Sequence, residues 1–331
     1  MKMTHYKARN KVITIGEVYM MATSKGHFRV TQPMTLDFSV KGCEMNVAAS
    51  LSSLGQDVSH FTIISDDTLG ETVLDFMKHR SINTQYVQKT TIPLCICLVE
   101  KSVDKAPVKV ANSITKSPLE TFDWSAVSWK NVFQDAGWLF WSASFVRLQD
   151  AAGRLAEILQ SAQADTISVV TDLSLVNPGI TDFSRDIVTS LIPYSSVVIA
   201  NVENINMLLE TDFGDDTLAF TAACTKLNEL YPNITSVFDK VCNGSRCYGR
   251  GWVNKRYIQT PEIDIGCIVD DEGTSESFAA GLLYILRFHE EQHALNFAIA
   301  AFALQHTVKG DYNEATVNEI IAVLQASRRF Q

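Results

Sequence analysis

The sequence predicts an α/β fold in which a mostly parallel central sheet is flanked by helices. Short apolar runs rich in β-branched residues alternate with helical patterns along the whole chain, which is typical of βα units around a parallel sheet. The chain has 331 residues, of which 46% are hydrophobic, so it can bury a large core. No repeat, low-complexity tract or linker is visible, and we therefore expect a single domain over residues 1–331.

Six runs are predicted as strands because they are short, apolar and rich in β-branched or aromatic residues. They are Lys11–Ile15, Ser59–Ile64, Trp138–Trp141, Ile167–Asp172, Ser196–Ala200 and Thr235–Phe238. Helices are predicted where apolar residues recur three or four positions apart. They are Glu44–Leu54, Asp150–Gln163, Thr274–Arg287, Ala294–Val308 and Thr316–Ser327. Gly55 ends the first of these helices, and Thr316 with Glu319 is a predicted capping box at the start of the last.

Two segments, residues 18–40 and 92–112, break this alternation. Polar and apolar residues alternate loosely within them, which favours extended structure over helix. We predict that they form a small β-sheet lid inserted into the domain.

The charge of the chain limits the kinds of partner that we expect it to bind. The net charge is -9 and no run of like charges is present. The charge pattern therefore does not indicate binding to nucleic acid or to an anionic membrane. No apolar run approaches the roughly 18 residues that a membrane span needs. We therefore expect a cytoplasmic protein whose partners are small molecules or other proteins.

The seven cysteines are odd in number and scattered, and no Cys-x-x-Cys pair is present. This pattern predicts neither a disulfide framework nor a structural zinc site, so we expect reduced thiols. The segment Cys242–Cys247, followed by Gly249 and Gly251, is typical of a hairpin turn. Trp138 and Trp141 are expected in the core.

The segment from Ile268 to Gly281 runs from strand-like residues through a turn containing Gly273 into an apolar helix. A helix N-terminus at this point presents unpaired N–H groups and a positive dipole end, which suit an anion. The Thr, Ser and Glu residues there are equally typical of ordinary helix caps.

This segment resembles the motif Asp-Thr-Thr-Gly-Ala-Gly-Asp-x-Phe-x-x-Gly of the pfkB carbohydrate kinases. Asp270, Gly273, Phe278 and Gly281 are in register with it. Further similarities follow in order along the chain, at Ile15–Glu17, Lys41–Ala48, Ile64–Gly70, Ala136–Ser142, Val170–Ser174 and Ala300–Asp311. Within this family the sequence is most similar to the 2-keto-3-deoxygluconate kinases.

The resemblance implies a ribokinase-like three-layer fold, ATP and Mg²⁺ as cofactors, a sugar or sugar acid as acceptor, and a homodimer formed through the lid. It assigns roles to single residues. The catalytic residues would be Glu276 as the base and Gly273, Thr274 and Ser275 as the anion hole. Nucleotide-binding residues would be Asn201, Asn204 and Gly244. Substrate-binding residues would be Glu17, Lys41, Gly42, Asn46 and Asp172. No residue is assigned as a direct metal ligand.

Several positions depart from the family pattern. Glu276 replaces the usual aspartate, and Asp271 and Glu272 place two carboxylates where the family has uncharged or basic residues. The family's Asn-x-x-Glu reads Asn201-Val-Glu-Asn204 here, and the arginines that bind the substrate carboxylate align with Ile114 and Val176. A carboxylate about 4 Å from a phosphate oxygen costs about 4 kcal/mol at an effective dielectric of about 20. These departures predict weak binding of ATP and Mg²⁺ and weak or absent turnover.

Two functional classes therefore stay open. One is a sugar or sugar-acid kinase with an adapted site, and the other is a non-catalytic relative that binds a sugar-like ligand or a partner protein. A third interpretation rests on His289-Glu-Glu-Gln-His293, which fits the zincin pattern. No third ligand is evident, and the family alignment places this segment in a turn, so surface histidines are expected.

Overall fold

A computed structural model describes residues 10–24, 35–100, 109–112, 117–174 and 182–327. Its strands, in chain order, are β1 Lys11–Ile15, β2 Tyr19–Ser24, β3 Leu36–Lys41, β4 Val58–Phe61, β5 Ile63–Ser65, β6 Gln88–Thr90, β7 Ile96–Glu100, β8 Lys109–Asn112, β9 Ala136–Ser142, β10 Ser168–Asp172, β11 Val197–Ile199, β12 Ser236–Asn243, β13 Arg246–Val253, β14 Arg256–Gln259 and β15 Ile263–Asp264.

The α-helices in the described residues are α1 Cys43–Ser53, α2 Thr68–His79, α3 Pro118–Thr121, α4 Trp129–Val132, α5 Gln149–Ala164, α6 Asp182–Leu191, α7 Val202–Leu209, α8 Thr217–Leu230, α9 Thr274–Leu286, α10 Glu291–Gln305 and α11 Val317–Ser327. Short 3₁₀ turns lie at Trp124–Ala126, Ala143–Arg147 and Ile192–Tyr194. The predicted capping box is confirmed, because the Thr316 N–H donates to Glu319 Oε2 at 2.7 Å and the Glu319 N–H donates to Thr316 Oγ1 at 3.4 Å.

The central sheet has nine strands in the order β14-β13-β12-β11-β10-β9-β1-β4, with β15 pairing on β13. Strands β4, β1, β9, β10, β11 and β12 are parallel to one another, and β13, β14 and β15 add an antiparallel edge. Every residue of β1 is buried, as expected for a parallel strand covered on both faces.

Two apolar cores lie on opposite faces of this sheet. On one face Val12, Phe140 and Phe238 pack with residues of α1, α2, α9, α10 and α11. On the other, Ile13, Leu139 and Val237 pack with residues of α5, α6, α7 and α8. Alternate strand residues therefore serve opposite layers, and the predicted three-layer α/β fold is confirmed.

A separate four-stranded sheet has the order β3-β2-β7-β8. It is built from the two segments that the sequence predicted as a small second sheet, and that prediction is confirmed for their described residues. Residues 25–34 and 101–108 lie outside the described part of the chain. Only three residues join β1 to β2, and Gly42 alone joins β3 to α1, so this sheet is attached directly to the central one.

One predicted strand was wrong in extent. Residues 59–64 were expected to form a single strand, but the chain breaks at Thr62 into β4 and β5. The physical reason is a change of partner, because β4 pairs with β1 in the central sheet whereas β5 pairs with β6.

The expectation of reduced thiols was also wrong for one pair. Cys242 and Cys247 form a disulfide across the hairpin of β12 and β13. Their register places them directly opposite each other, with a turn at Gly244 and Ser245 between the strands. The hairpin predicted here is confirmed, and Gly244 has the positive φ of 64° that such a turn requires. No helix in the described ranges is long and apolar enough to cross a membrane.

Candidate active site

The candidate site lies along one edge of the central sheet, where the parallel strands reach their carboxyl ends. Glu17 follows β1, Ser142 ends β9, Asp172 ends β10 and Asn201 follows β11. Lys240 lies in the part of β12 that extends beyond its pairing with β11. Parallel α/β sheets bind their ligands at this edge, and the first turn of α9 approaches the same place.

The turn that leads into α9 is held in a tight conformation. Asp270 Oδ1 accepts hydrogen bonds from the N–H groups of Asp271 and Glu272 at 3.0 and 3.3 Å. Gly273 caps the helix with a left-handed φ of 72°. The Ser277 N–H donates to the Gly273 carbonyl at 2.9 Å. The N–H groups before Ser277 therefore have no carbonyl partner within α9, and they form the positive end of the helix dipole.

Gly273 also packs against a second turn, at residues 310–313. A Cβ atom placed on Gly273 would lie 2.3 Å from the backbone carbonyl of Asp311. Close by, Asn313 Nδ2 donates to Ser277 Oγ at 2.7 Å and to the Ala301 carbonyl at 3.0 Å. The start of α9 is thus fixed against α10 and against the turn at 310–313, which we call the closing turn.

Glu276 holds the position that the sequence assigned to the base. The residue is partly exposed as a whole, but its carboxyl group is enclosed by protein atoms. Burial raises the pKa of Glu276 to about 7, against opposing hydrogen bonds from its own backbone N–H and from Asn46. The negative charge of Asp172 raises the pKa of Glu276 further, and the positive charge of Lys240 lowers it. A carboxyl group with a pKa near neutral is well suited to accept a proton.

Asn46 lies on α1 beside Glu276 and is only 4% exposed. Its side-chain amide hydrogen-bonds the Glu276 carboxyl group, while its Oδ1 atom is buried without a hydrogen-bond partner among the described residues. A buried polar oxygen of this kind is costly unless a ligand or water satisfies it. The predicted role of Asn46 in substrate binding stays a prediction, and the orphan oxygen is consistent with it.

Asp172 and Lys240 complete this group. Asp172 is 1% exposed, and its Oδ1 accepts from the backbone N–H and the hydroxyl of Ser174. Burial raises the pKa of Asp172, and the charge of Lys240 acts in the opposite direction. The Lys240 ammonium lies 5.4 Å from the ring centre of Phe278 on α9. Lys240 was not predicted from the sequence, although a lysine within an apolar strand that ends at the site edge was a usable signal.

Lys41, at the end of β3, makes contacts that the sequence did not reveal. Its ammonium pairs with Glu272 Oε2 at 3.1 Å and with Asp311 Oδ1. Burial lowers the pKa of Lys41, but hydrogen bonds and attraction from Asp311 and Glu272 outweigh it and the pKa is raised overall. The carboxylate of Glu272, expected to oppose a phosphate, therefore has a cation beside it. Asp271 is exposed.

The segments around Glu17 and Gly42 are in close contact. A Cβ atom on Gly42 would lie 2.3 Å from the Glu17 carbonyl oxygen, so glycine is needed where β3 passes into α1. Glu44, a second residue missed from the sequence, is buried on α1. Its Oε1 accepts from the Ser142 N–H at 3.2 Å and from the Ser144 hydroxyl at 3.1 Å, and it thereby ties α1 to the end of β9.

Of the residues predicted to bind nucleotide, Asn201 lies at this same edge of the sheet, after β11, and Gly244 lies in the turn between β12 and β13. Asn201 and Asn204 form a capping box for α7, in which each side chain accepts the other's backbone N–H. Glu203, which precedes Asn204, is exposed. Gly244 is exposed at the hairpin tip. Their role in nucleotide binding stays a prediction.

A cavity of about 820 Å³ lies beside the turn that precedes α9. It is lined by Arg246, by residues of the 262–265 segment and by residues of α10 and α11, and it includes Thr307. The neighbouring His306 carbonyl accepts hydrogen bonds from the N–H groups of Val269 and Asp270 at 2.8 and 3.3 Å. The cavity is therefore connected to the turn through backbone contacts.

The zincin interpretation fails on geometry. His289 lies before α10, which begins at Glu291, so His289 and His293 are not on one helix. Among the described residues no cluster of His, Cys, Asp and Glu could hold a metal ion. The expectation of a turn there is confirmed. Ile114 and Val176, which align with the arginines of related kinases, lie outside the described residues.

The sequence profile of the pfkB family carbohydrate kinases matches residues 9–316 of this chain, a range that includes every residue of the site just described. The chain belongs to the pfkB family of carbohydrate kinases. A similar protein, 2-dehydro-3-deoxygalactonokinase of Haloferax volcanii, is 24% identical over 323 residues, which cover 95% of this chain and 96% of that protein.

Solved structures of other kinases share the fold. The 2-dehydro-3-deoxygluconokinase of Thermotoga maritima matches with a TM-score of 0.85 at 24% identity, covering 96% of this chain and 98% of that one. Fructokinase from Xylella fastidiosa with bound ATP matches with a TM-score of 0.78 at 17% identity, covering 97% and 99%. The predicted ribokinase-like fold and the resemblance to 2-keto-3-deoxygluconate kinases are confirmed.

Proposed function

We propose that this pfkB protein is a slow ATP-dependent kinase that phosphorylates a hydroxyl group of a sugar or sugar acid. The observation that carries the proposal is the position of Glu276. It lies in the first turn of α9, and burial raises its pKa to about 7. A base with this pKa is half ionised near neutral pH, which is the condition that general base catalysis favours.

Each group of the site has its own proposed role in phosphoryl transfer. Glu276 accepts the proton of the acceptor hydroxyl. The N–H groups at the start of α9 stabilise charge on the transferring group, and Lys240 supplies a positive charge near Glu276. Bound ATP with Mg²⁺ supplies the phosphoryl group. Because the described residues offer no carboxylate cluster, Mg²⁺ would be held mainly through the nucleotide phosphates and water.

The departures from the family motif predicted weak or absent turnover. Two features of the structure favour a working but slow site. Glu272, one of the two added carboxylates, is paired with Lys41 at 3.1 Å, and the other, Asp271, is exposed and screened by solvent. The longer side chain of Glu276 still hydrogen-bonds Asn46 at the site. Weak binding of ATP and Mg²⁺ therefore remains part of the proposal.

The acceptor would bind between α1 and the strand ends. Asn46 offers an unpartnered oxygen to an acceptor hydroxyl, and Asp172 and Glu17 provide carboxylates at the same edge. The similar proteins are named for 2-dehydro-3-deoxy sugar acids. Here Ile114 and Val176 replace the aligned arginines, so we propose that neutral sugars are included among the acceptors.

One observation favours the second candidate, a non-catalytic relative that binds a sugar-like ligand or a protein. The Glu276 carboxyl group accepts a hydrogen bond from its own backbone N–H. That N–H is one of the donors that would hold the transferring group, and the extra methylene of glutamate is what lets the side chain reach it. In this alternative, Glu276 occupies the anion hole permanently.

The proposal extends to assembly and location. The small sheet would act as a lid over the acceptor, and its outer strand β3 exposes Phe38 at 60%, which suits a homodimer formed through the two lids. We propose a cytoplasmic enzyme, in keeping with its small-molecule substrates.

The deciding experiment measures ATP-dependent phosphorylation of a panel of neutral sugars and 2-keto-3-deoxy sugar acids. We expect turnover that Glu276→Gln lowers by about two to four powers of ten, the usual contribution of a general base. The control is Glu203→Gln, an exposed carboxylate on α7. No turnover with any acceptor would refute the kinase proposal and support the non-catalytic alternative. Turnover that Glu276→Gln leaves unchanged would refute the assignment of Glu276 as the base.

A further inference from the structure

A partly buried charge cluster includes a residue of the turn that precedes α9. Lys41, at the end of β3, contacts Glu272 and Asp311, which are 231 and 270 positions away in the sequence. The cluster therefore joins three segments: the small sheet, the turn of the phosphoryl-transfer site and the closing turn. We call these three residues the Lys41 cluster.

Burial increases the energetic cost of removing the cation from the Lys41 cluster. Lys41 is 8% exposed, the side chain of Asp311 is 15% exposed, and that of Glu272 is 40% exposed. Burial and the neighbouring Glu272 raise the pKa of Asp311, while Lys41 lowers it. With Lys41 in place, one cation faces two carboxylates, and the cluster carries a single net negative charge when both carboxylates are ionised. Without Lys41, two adjacent carboxylates would be left without their cation, which is strongly unfavourable at a site of this burial.

The cluster is also mechanically joined to the donors of the site. Glu272 precedes Gly273 in the chain, and Gly273 packs directly against the backbone of Asp311. Repulsion between Glu272 and Asp311 would therefore push apart the two turns whose contact fixes the start of α9. The same two charges would raise the electrostatic cost of an anionic phosphoryl group at that helix end.

We propose that Lys41 is a positioning residue for phosphoryl transfer, and that it acts as a built-in counter-ion holding the turn before α9 and the closing turn together. The inference rests on the proposed kinase function. It differs from the role that the sequence resemblance implied, because Lys41 would act through Glu272 and Asp311 and not by contact with the sugar.

Three variants test the proposal: Lys41→Met, Glu272→Gln and the two combined. Lys41→Met should lower kcat/KM for Mg-ATP by about 10- to 100-fold, somewhat less than loss of an oxyanion donor, while KM for the acceptor changes less than about threefold. Glu272→Gln should raise kcat/KM for Mg-ATP by about two- to fivefold. The double variant has the same net charge as the native cluster and should recover at least half of the lost activity on a logarithmic scale.

Lys89 provides a matched control. It also pairs with two carboxylates, Asp66 at 3.3 Å and Glu71, but its side chain is 38% exposed, whereas that of Lys41 is 10% exposed. Lys89→Met should leave both kinetic constants within about twofold of the native values, because exposed ion pairs contribute little.

The outcomes separate this inference from the proposed function. Native turnover that Lys41→Met leaves unchanged would overturn the inference and leave the kinase proposal intact. A loss that affects ATP and acceptor equally and is not restored by Glu272→Gln would also overturn it, since it would indicate a purely structural lysine. If Lys41→Met does not fold, a folded and active double variant would support the inference and an unfolded one would refute it. Absence of turnover in the native protein refutes both proposals.

Discussion

Two ion clusters in this protein have the same arrangement of charges, with a buried cation in each, and different surroundings. In each, one cation faces two carboxylates. Arg250 on β13 contacts Asp239 on β12 through Nε at 2.9 Å and contacts Asp215 in the loop before α8. The Lys41 cluster has the same form, but both of its carboxylates belong to turns at the candidate active site.

The Arg250 cluster lies within the fold and not at the site. Arg250 is 2% exposed, its guanidinium covers the ring of Phe220 at 4.4 Å, and it also donates to the Asp215 carbonyl at 2.8 Å. These contacts attach α8 to the face of the sheet opposite α9. The comparison shows that burial of an ion cluster does not by itself indicate function. What distinguishes the two clusters is which segments the carboxylates belong to.

The sharpest test of this difference is Arg250→Met. It leaves Asp239 buried without its cation, so we expect the free energy of unfolding to fall by about 3–5 kcal/mol. The folded fraction should keep kcat within about threefold of the native value, unlike Lys41→Met. Urea denaturation and active-site-normalised kinetics measure the two effects, with Arg256→Met on exposed β14 as the control. A large fall in kcat with little change in stability would erase the distinction between the clusters.

A second test uses pH. The pKa of Glu276 is raised to about 7 and that of Asp239 to about 6, in both cases chiefly by burial. The folded state therefore binds more protons than the unfolded state below these values, and stability should fall as pH rises from 5.5 to 7.5. Glu276→Gln should remove about 1–2 kcal/mol of this decrease, while the smaller part that belongs to Asp239 remains.

Ionisation of Glu276 should raise turnover, whereas it lowers stability. Native turnover should rise as pH increases through about 7, because only ionised Glu276 accepts a proton. Urea denaturation at three pH values and a kcat profile measure the two trends. An identical pH dependence of stability in the native protein and in Glu276→Gln would contradict the assignment of this titration to Glu276.

The smallest expected effect concerns the outer carboxylate of the Arg250 cluster. The Asp215 side chain is 72% exposed, and its backbone carbonyl remains an acceptor for Arg250 in any variant. Asp215→Asn should therefore lower the free energy of unfolding by less than about 1 kcal/mol and leave turnover unchanged. Its counterpart Glu272→Gln should alter turnover. Equal behaviour of the two variants in kinetics would show that the clusters are alike after all.

The fold was predictable because its signals are local. The strand at Lys11–Ile15 was predicted with its observed bounds, and the capping residues of α11 were recognised from a spacing of three. The break between β4 and β5 was not predictable, because Ile63 continues the apolar run of β4 and changes only its pairing partner. Pairing partners are decided by tertiary structure, which a run of apolar residues does not encode.

The site was predictable where the family motif is contiguous and not where it depends on distant residues. Glu276 and Asn46 were named from the sequence and lie together. The Lys41 contacts depend on segments more than two hundred positions apart, and the disulfide of Cys242 and Cys247 depends on the hairpin register. Charge signs read from the sequence led to an expected repulsion at Glu272, and only the three-dimensional arrangement shows the cation beside it.

The close packing of Gly273 on the backbone of Asp311 has a practical consequence for protein engineering. A side chain at Gly273 would collide with main-chain atoms, which cannot rotate away as a side chain can. Randomised libraries that seek faster or differently selective variants should therefore keep this glycine. Diversity belongs at Ser275, which is partly exposed on the same turn of α9. Such libraries would vary the chemistry of the turn while keeping the contact between Gly273 and Asp311 that fixes its position.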